Sequence, residues 1–502
     1  MLPLLFFFVG SALFIYWYLS KQLSYWEERG IPGPRPVLLF GNLIDMWYDG
    51  KARQMVLYEW SKKYGKVYGI HDGLRKVLVT SDLEMTNEIL VKQFDNFHGR
   101  IHFPIENVGD GPKTPLVDSR GAHWKRLRAL GSHAFTNKAL KQIRHTVENT
   151  AVLMSNELER RSDKGEEINM LEIYQEFTLD IICKVALGQR DVIMFKNPLL
   201  QVCKDIFTST ATSVLNTVPL LLPFMQRPMY IILDNIGRFF GLPFNVLLRS
   251  VEVEVEKRKK ERANGIVTSI DFIDQFLDAE VDTAEMKFGE EATFSRTLVH
   301  DEIVQLAFQF LLAGFETTAN SLSFLTYFLA LHPDVQEKVR EEIDAVFADG
   351  VIEYDSLSEL KYTECVIRES LRHYPMAGFV VSRECSKATT VCGHRFELGD
   401  LVQTETFALH FDPAIWGEDA EQFRPERWLE PTDRARIAFQ SFGEGPRICI
   451  GMRLAYIEEK VAIAHLLSKF IVEKTNNTHP LKLTGPFTVS PERVMVRLRK
   501  RS

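Results

Sequence analysis

Cysteine is scarce in this sequence. Only Cys183, Cys203, Cys365, Cys385, Cys392 and Cys449 occur in 502 residues, and no two form a C-x-x-C pair. So thin a supply argues against a disulfide framework and for a reducing compartment. Basic charge is not in excess either: 60 Lys and Arg stand against 67 Asp and Glu, a formal net charge of -7. A dedicated nucleic-acid binder would show the opposite balance, so no nucleic-acid partner is expected. Internal repeats, low-complexity segments and a glycine-rich dinucleotide fingerprint are all missing. No shift of composition after residue 30 marks a second domain boundary, so one large domain is the simplest reading.

Charge is missing altogether from Leu2 to Ser20, LPLLFFFVGSALFIYWYLS. An apolar run of about 20 residues can span a bilayer as a helix. The alternative is a cleaved signal peptide. No basic side chain precedes the run and no A-x-A-like site follows it, which favours an anchor. Trp17, Tyr18 and Lys21 suit the membrane interface, and Lys21, Arg29 and Arg35 all follow the run. The positive-inside rule then places the rest of the chain in the cytosol. Residues 1–20 are expected to be a transmembrane anchor, 21–36 a linker and 37–502 the globular domain. The linker contains Ile31-Pro32-Gly33-Pro34-Arg35-Pro36, whose prolines keep it stiff and extended.

Beyond the linker the pattern is mainly α with small β-sheets. Lys66 to Ile70 and Lys76 to Thr80 read as strands around an Asp72-Gly73 turn. Trp124 to Leu130, Ala139 to Glu157, Leu171 to Ala186 and His300 to Leu331 have helical periodicity. Residues 391–404 read as strand, turn, strand, broken at Gly393 and at Gly399-Asp400. A last long helix should start just after Cys449 and run to about Phe470. Val214 to Leu248 is a second apolar region, interrupted by prolines. It is either core or a surface that dips into the membrane.

The densest chemical signal is Phe442-Gly443-Glu444-Gly445-Pro446-Arg447-Ile448-Cys449-Ile450-Gly451. Two glycines and a proline force a tight loop, and a helix follows. Cys449 therefore sits near a helix N-terminus, where free backbone N–H groups favour a thiolate. Phe442 can shield the sulfur, Gly451 allows close packing under a flat ring, and Arg447 can reach a carboxylate of that ring.

This segment resembles the cytochrome P450 signature F-x-x-G-x-R-x-C-x-G, with every fixed position present. Other family marks follow the same order along the chain. Glu369-Ser370-Leu371-Arg372 resembles E-x-x-R. Pro425-Glu426-Arg427-Trp428 resembles P-E-R-F with Trp428 replacing Phe, so Arg427 should join Glu369 and Arg372 in a buried structural network. Trp124-Lys125-Arg126-Leu127-Arg128 resembles W-x-x-x-R, which makes Trp124 and Arg128 candidates for a haem propionate. Arg383, in Val381-Ser382-Arg383, is another. Ala313-Gly314-Phe315-Glu316-Thr317-Thr318 resembles A-G-x-[DE]-T-T inside the long apolar helix. Glycine and charge are locally unfavourable there, which marks a functional site. On this reading Gly314 makes room for O2 or substrate, Thr317 hydrogen-bonds an oxygen or an ordered water, and Glu316 relays protons.

The resemblance implies a haem-thiolate monooxygenase with haem b on Cys449, similar to the animal drug-metabolising group. Its reaction takes R–H, O2, two electrons and two protons to R–OH and water. With no dinucleotide fingerprint or flavin domain in the chain, electrons must come from a partner. The resemblance implies NADPH–cytochrome P450 reductase, with cytochrome b5 as a second donor, at the endoplasmic reticulum membrane. Lys125, Arg126, Lys138, Lys141 and Arg144 are candidates for a basic docking face, with ordinary surface charge as the alternative. Two rival readings are a haem-thiolate isomerase or dehydratase acting on peroxides and a non-enzymatic haem sensor. The acid–alcohol pair Glu316–Thr317 argues against both. Substrate-pocket candidates are Ile105, Val108, Phe207, Phe308, Phe310, Leu311, Met376, Phe379, Val380 and Phe487. Nearly all are apolar, which predicts a neutral, lipophilic substrate.

Overall fold

The computed structural model describes residues 2–47, 52–102, 111–189, 193–209, 214–266, 271–280, 297–347, 352–485 and 488–501. Ile105, Val108 and Phe487 lie outside the described residues. In chain order, the helices that matter here are α1 (Leu2–Leu23), α2 (Gly121–Ser132), α3 (Asn137–Ser162) and α4 (Met170–Ala186). They continue as α5 (Val214–Leu221), α6 (Gln226–Phe240), α7 (Pro243–Ala263), α8 (His300–Leu331), α9 (Lys361–His373) and α10 (Met452–Lys469). The strands are β1 (Val67–Asp72), β2 (Arg75–Thr80), β3 (Ser382–Glu384), β4 (Leu401–Thr404), β5 (Leu483–Thr484) and β6 (Ser490–Pro491).

The core is organised around α8. It is buried on nearly every face from Phe315 to Ala330, its apolar residues and its small polar ones such as Thr318, Asn320, Ser321, Ser323 and Thr326 alike. Helix α4 runs antiparallel along it. Tyr174 meets Thr326 at 2.7 Å, the Thr178 hydroxyl donates to the Phe315 carbonyl at 2.8 Å, and Ile182 lies opposite Gly314. The first turn of α8 is held by Glu302, which is buried and paired with Arg126 and His123 of α2.

β1 and β2 form the expected hairpin, with Gly73 at φ 65° in its turn. β2 pairs parallel with β4, and β4 pairs antiparallel with β3, giving the sheet order β1-β2-β4-β3. The 391–404 region splits between two sheets. Thr389–Val391 and His394–Phe396 make their own hairpin, because Cys392 and Gly393 both take positive φ, 46° and 80°. Only Leu401–Thr404 enters the larger sheet. Phe470, expected to end the last helix, begins a strand instead.

The N-terminal helix continues past Lys21 to Leu23. Trp26 then inserts into the core beside Gly69, where a Cβ would sit 2.2 Å from the indole, and its N–H donates to Ile70 O at 3.0 Å. Residues 31–36 are extended and lie against β1: the Gly69 N–H donates to Pro32 O at 2.8 Å.

Glu369 anchors a closed polar cluster under α9. Its Oε1 accepts from Arg372 Nη2 at 2.8 Å, Arg427 Nε at 2.9 Å and the Arg424 backbone at 3.0 Å. Its Oε2 accepts from Arg372 Nε and from the Trp428 indole, both at 2.9 Å. Trp428, where the family pattern has Phe, therefore adds a hydrogen bond that phenylalanine cannot make.

Candidate functional site

Local chemistry and one close approach from a distant segment shape the loop that carries Cys449. Gly445 has φ 72°, and a Cβ there would lie 2.2 Å from Leu90 O, so only glycine fits. Gly445–Arg447 forms a single 3-10 turn, and the Cys449 N–H donates back to Phe442 O at 2.8 Å. Phe442 packs against Tyr456 of α10, with ring centroids 5.4 Å apart. Cys449 itself is exposed while Arg447 beside it is buried. The N–H groups of Gly451 and Met452, with Arg128 and Arg100, favour its thiolate, but desolvation by the surrounding protein outweighs them and raises the thiol pKa. A cysteine that coordinates a metal cation would do so as the thiolate. A Cβ on Gly451 would meet only Phe135, at an ordinary 3.7 Å, so nothing in the chain itself requires glycine there.

Around this loop lie more buried cations than the described residues compensate. Arg447 stacks on Trp124, 4.6 Å from the ring centroid, and donates to the backbone oxygens of Val117 and Ser119. Arg383 on β3 donates to Ser382 O at 2.8 Å, and Arg100 to Arg447 O at 3.1 Å. The Nε atoms of Arg100, Arg383 and Arg447 are buried without a hydrogen-bond partner. Desolvation and mutual repulsion hold the Arg383 and Arg447 pKa values well below the ordinary arginine range. Asp118 is the carboxylate that acts on both Arg100 and Arg447, whereas Arg120 is neutralised by Glu384 at 2.6 Å. Arg128, half-buried on α2, forms no ion pair among the described residues. Buried charge without counter-charge is costly. A ring bearing two carboxylates, as haem b does, would place counter-charge there, so these residues fit the cofactor. Arg100 was not foreseen, since no motif carries it. The bridge between Gly99 and Glu384 places it beside β3, and only the folded chain makes that visible.

The other wall candidates are on α8. Gln305, Gln309, Leu312, Ala313 and Thr317 form an accessible stripe along an otherwise buried helix. The Thr317 hydroxyl donates to Ala313 O at 2.6 Å. Glu316, on the neighbouring face, is buried and accepts from Ser490 at 3.1 Å. Burial pushes its pKa up to about 7. Several pocket and site expectations change. Phe308 packs on Phe244 of α7, and Phe310 on Phe135 and Phe272, so neither lies on the stripe. Leu311 is fully buried, Phe207 packs toward Phe315, and Met376 is buried, while Phe379 and Val380 are half-buried. A Cβ on Gly314 would lie 2.9 Å from the end of the Ile182 side chain, so this glycine also lets α4 pack close to α8. Gln305 and Gln309 were missed because a glutamine on a long apolar helix carries no signal of its own. In the basic face, Arg126 and Arg144 are buried and engaged with Glu302 and Ile352 O. Lys125, Lys138 and Lys141 remain exposed, with Lys141 paired to Asp355 at 2.8 Å.

An accessible loop cysteine at the head of a core helix, with several buried arginines around it, fits a haem-thiolate protein. The sequence matches the family model for cytochrome P450 over residues 31–498. It is 42% identical over 520 residues to the Caenorhabditis elegans protein named as cytochrome P450 CYP13A3, covering 98% of both chains. It is 41% identical over 510 residues to CYP13A2 of the same organism, covering 98% of this chain and 97% of that one. The chain belongs to the cytochrome P450 family. Members are monooxygenases that hold haem by a cysteine thiolate, take electrons from a redox partner and bind small-molecule substrates.

Proposed function

We propose that this protein is a membrane-anchored monooxygenase acting on neutral, lipophilic small molecules such as steroids, fatty-acid derivatives or xenobiotics. The ring of under-compensated arginines around Cys449 carries the reading. Cys449 would be the iron ligand; Trp124, Arg128, Arg383, Arg447 and Arg100 would hold the propionates, with Phe442 and Gly451 framing the proximal side. When bound, haem supplies the oxidative chemistry, inserting one atom of O2 into a C–H bond. The protein's part is to orient the substrate, exclude water and move protons. The accessible α8 stripe is neutral, with no lysine or arginine, which supports an uncharged substrate hydrogen-bonded by Gln305 or Gln309.

Glu316 and Thr317 would deliver protons, and a carboxyl near pKa 7 is well matched to that task at neutral pH. Thr317→Ala should retain haem and substrate binding yet uncouple the cycle, with NADPH still consumed, more hydrogen peroxide formed and less product. Product per NADPH equal to that of the parent enzyme would remove Thr317 from the route.

Electrons would come from NADPH–cytochrome P450 reductase, with cytochrome b5 as a second donor, onto a face bearing Lys125, Lys138 and Lys141. α1 contains a 21-residue segment, Pro3–Leu23, long and apolar enough to cross a membrane. It would anchor the chain in the endoplasmic reticulum with the domain in the cytosol. Phe224, Ile231, Phe239, Phe240 and Phe244 are exposed on α6 and its flanks. Helices α6 and α7 meet at a 73° bend, which disfavours a second straight span. Leu220, at the end of α5, packs on Gly73 of the same hairpin that holds Trp26. This apolar face and the end of α1 therefore share one support, and we place both against the bilayer, where lipophiles concentrate.

Reconstitution with reductase, NADPH and a panel of steroids, fatty acids and drug-like compounds tests the whole reading. High-spin spectral shifts and hydroxylated products are expected with neutral lipophiles. Shifts confined to small charged ligands would refute the substrate class. Turnover of peroxides without reductase would favour an isomerase or dehydratase, and binding without any turnover a sensor.

A further inference from the structure

Glu316 does not stand alone in the core, for three segments meet at it. α8 contributes Asn320, one turn beyond Glu316. The hairpin β5–β6 contributes Thr488 and Ser490. The segment before β3 holds that hairpin in place, because the Val489 N–H donates to Met376 O at 2.8 Å. Asn320 Nδ2 lies 2.6 Å from Ser490 Oγ, and Ser490 Oγ lies 3.1 Å from Glu316 Oε1. The direction of this chain is fixed by chemistry. An amide nitrogen can only donate, so Ser490 accepts from Asn320 and its own hydroxyl proton is left for the carboxylate. Glu316 Oε2 is buried without a hydrogen-bond partner, so one oxygen is held while the other keeps its lone pairs for a proton.

Resting on the reading of Glu316 as the inner carboxyl of the proton route, we propose that Ser490, aligned by Asn320, is a positioning residue. It holds the Glu316 carboxylate with Oε2 free to accept and release a proton, and thereby sets the pH range over which protons reach Thr317. The step balances simply: Oε2 takes one proton from the solvent side and gives one inward, with no net change at Glu316. Polar side chains, and no charged one, tune this carboxyl. Burial raises its pKa, and Ser490, Thr488 and Asn320 oppose that rise. Most charged groups on the elements packed around it are engaged elsewhere, while Glu458 of α10 is buried and raised well above the usual carboxylate range by desolvation and by Glu459. Asp180 of α4 pairs with Lys184 and Thr150, Glu459 of α10 accepts from Ser321, Glu492 after β6 pairs with Lys482, and His373 of α9 lies on Arg372.

The test titrates the carboxyl directly, without relying on turnover. In the purified holoenzyme, the infrared C=O stretch of protonated Glu316 is assigned by its loss in Glu316→Gln and followed against pH. Ser490→Ala removes a bond that favours the ionised form, so its midpoint should rise by about one pH unit. Ser490→Thr keeps the hydroxyl and should restore the parent midpoint. Asn320→Ala should shift it the same way as Ser490→Ala and serves if that variant folds poorly. The pH profile of product per NADPH should move with the infrared midpoint. An unmoved midpoint in both Ser490→Ala and Asn320→Ala overturns the proposal. Glu316→Gln with parent product per NADPH at every pH overturns the relay reading itself, and is told apart because it arises in a different variant.

Discussion

Cys449→Ser and Cys449→His should each abolish the thiolate-type Soret band of the reduced carbon monoxide complex. Neither residue supplies the soft anionic sulfur that defines haem-thiolate ligation. The serine variant is the sharper test because it leaves the loop intact. The shape of that loop comes from Gly443, Gly445 and Pro446 and from the backbone bond between Cys449 N–H and Phe442 O, none of which involves the sulfur. Any haem still held by the arginines should show a completely changed spectrum. A normal band in both variants would move the ligand elsewhere. The alternatives are poor: Cys183, Cys203, Cys365 and Cys385 are buried, and burial raises the Cys183 thiol to about 12. Cys392 is exposed in a hairpin turn whose charged neighbours are mostly acidic.

Glu369→Ala or Arg372→Ala should leave little haem-loaded protein. Both side chains are fully buried, and Glu369 satisfies Arg372, Arg427, the Arg424 backbone and the Trp428 indole at once. Removing one partner of a buried ion pair costs about 3–5 kcal/mol, a large part of a domain's net stability. Thermal melting and haem content of the purified variants measure it; parent values would show that the cluster is dispensable. The same carboxylate gives a pH dependence of definite sign. Its neighbours hold its pKa far below the usual carboxylate range. Its stabilising contribution is therefore complete above that range and is lost as pH falls through the depressed folded value.

Some of this molecule was legible before folding because the information is local in the chain. Gly445 and Pro446 dictate the turn that presents Cys449, and a long, mostly apolar run with helical periodicity dictates α8, whose ends match the expectation at His300 and Leu331. The spacing of Glu369 and Arg372 put both on one face of α9, and their bond follows from that spacing. Other features depend on segments far apart. Arg100 reaches the site through a bridge to Glu384, and Glu316 meets Ser490 from 174 residues away. Phe308 and Phe310 fit a pocket by composition, yet the rotation of α8 turns them toward Phe244 and Phe272.

By itself, then, the sequence determined the mainly α character, the cysteine loop, the family and the apolar N-terminal helix, because each is set by residues within a few turns of one another. Tertiary structure alone decided which arginines gather around the cysteine loop, which face of α8 is accessible, what Gly314 packs against and what holds Glu316. Those are properties of burial and of which distant groups become neighbours, and no local pattern encodes either.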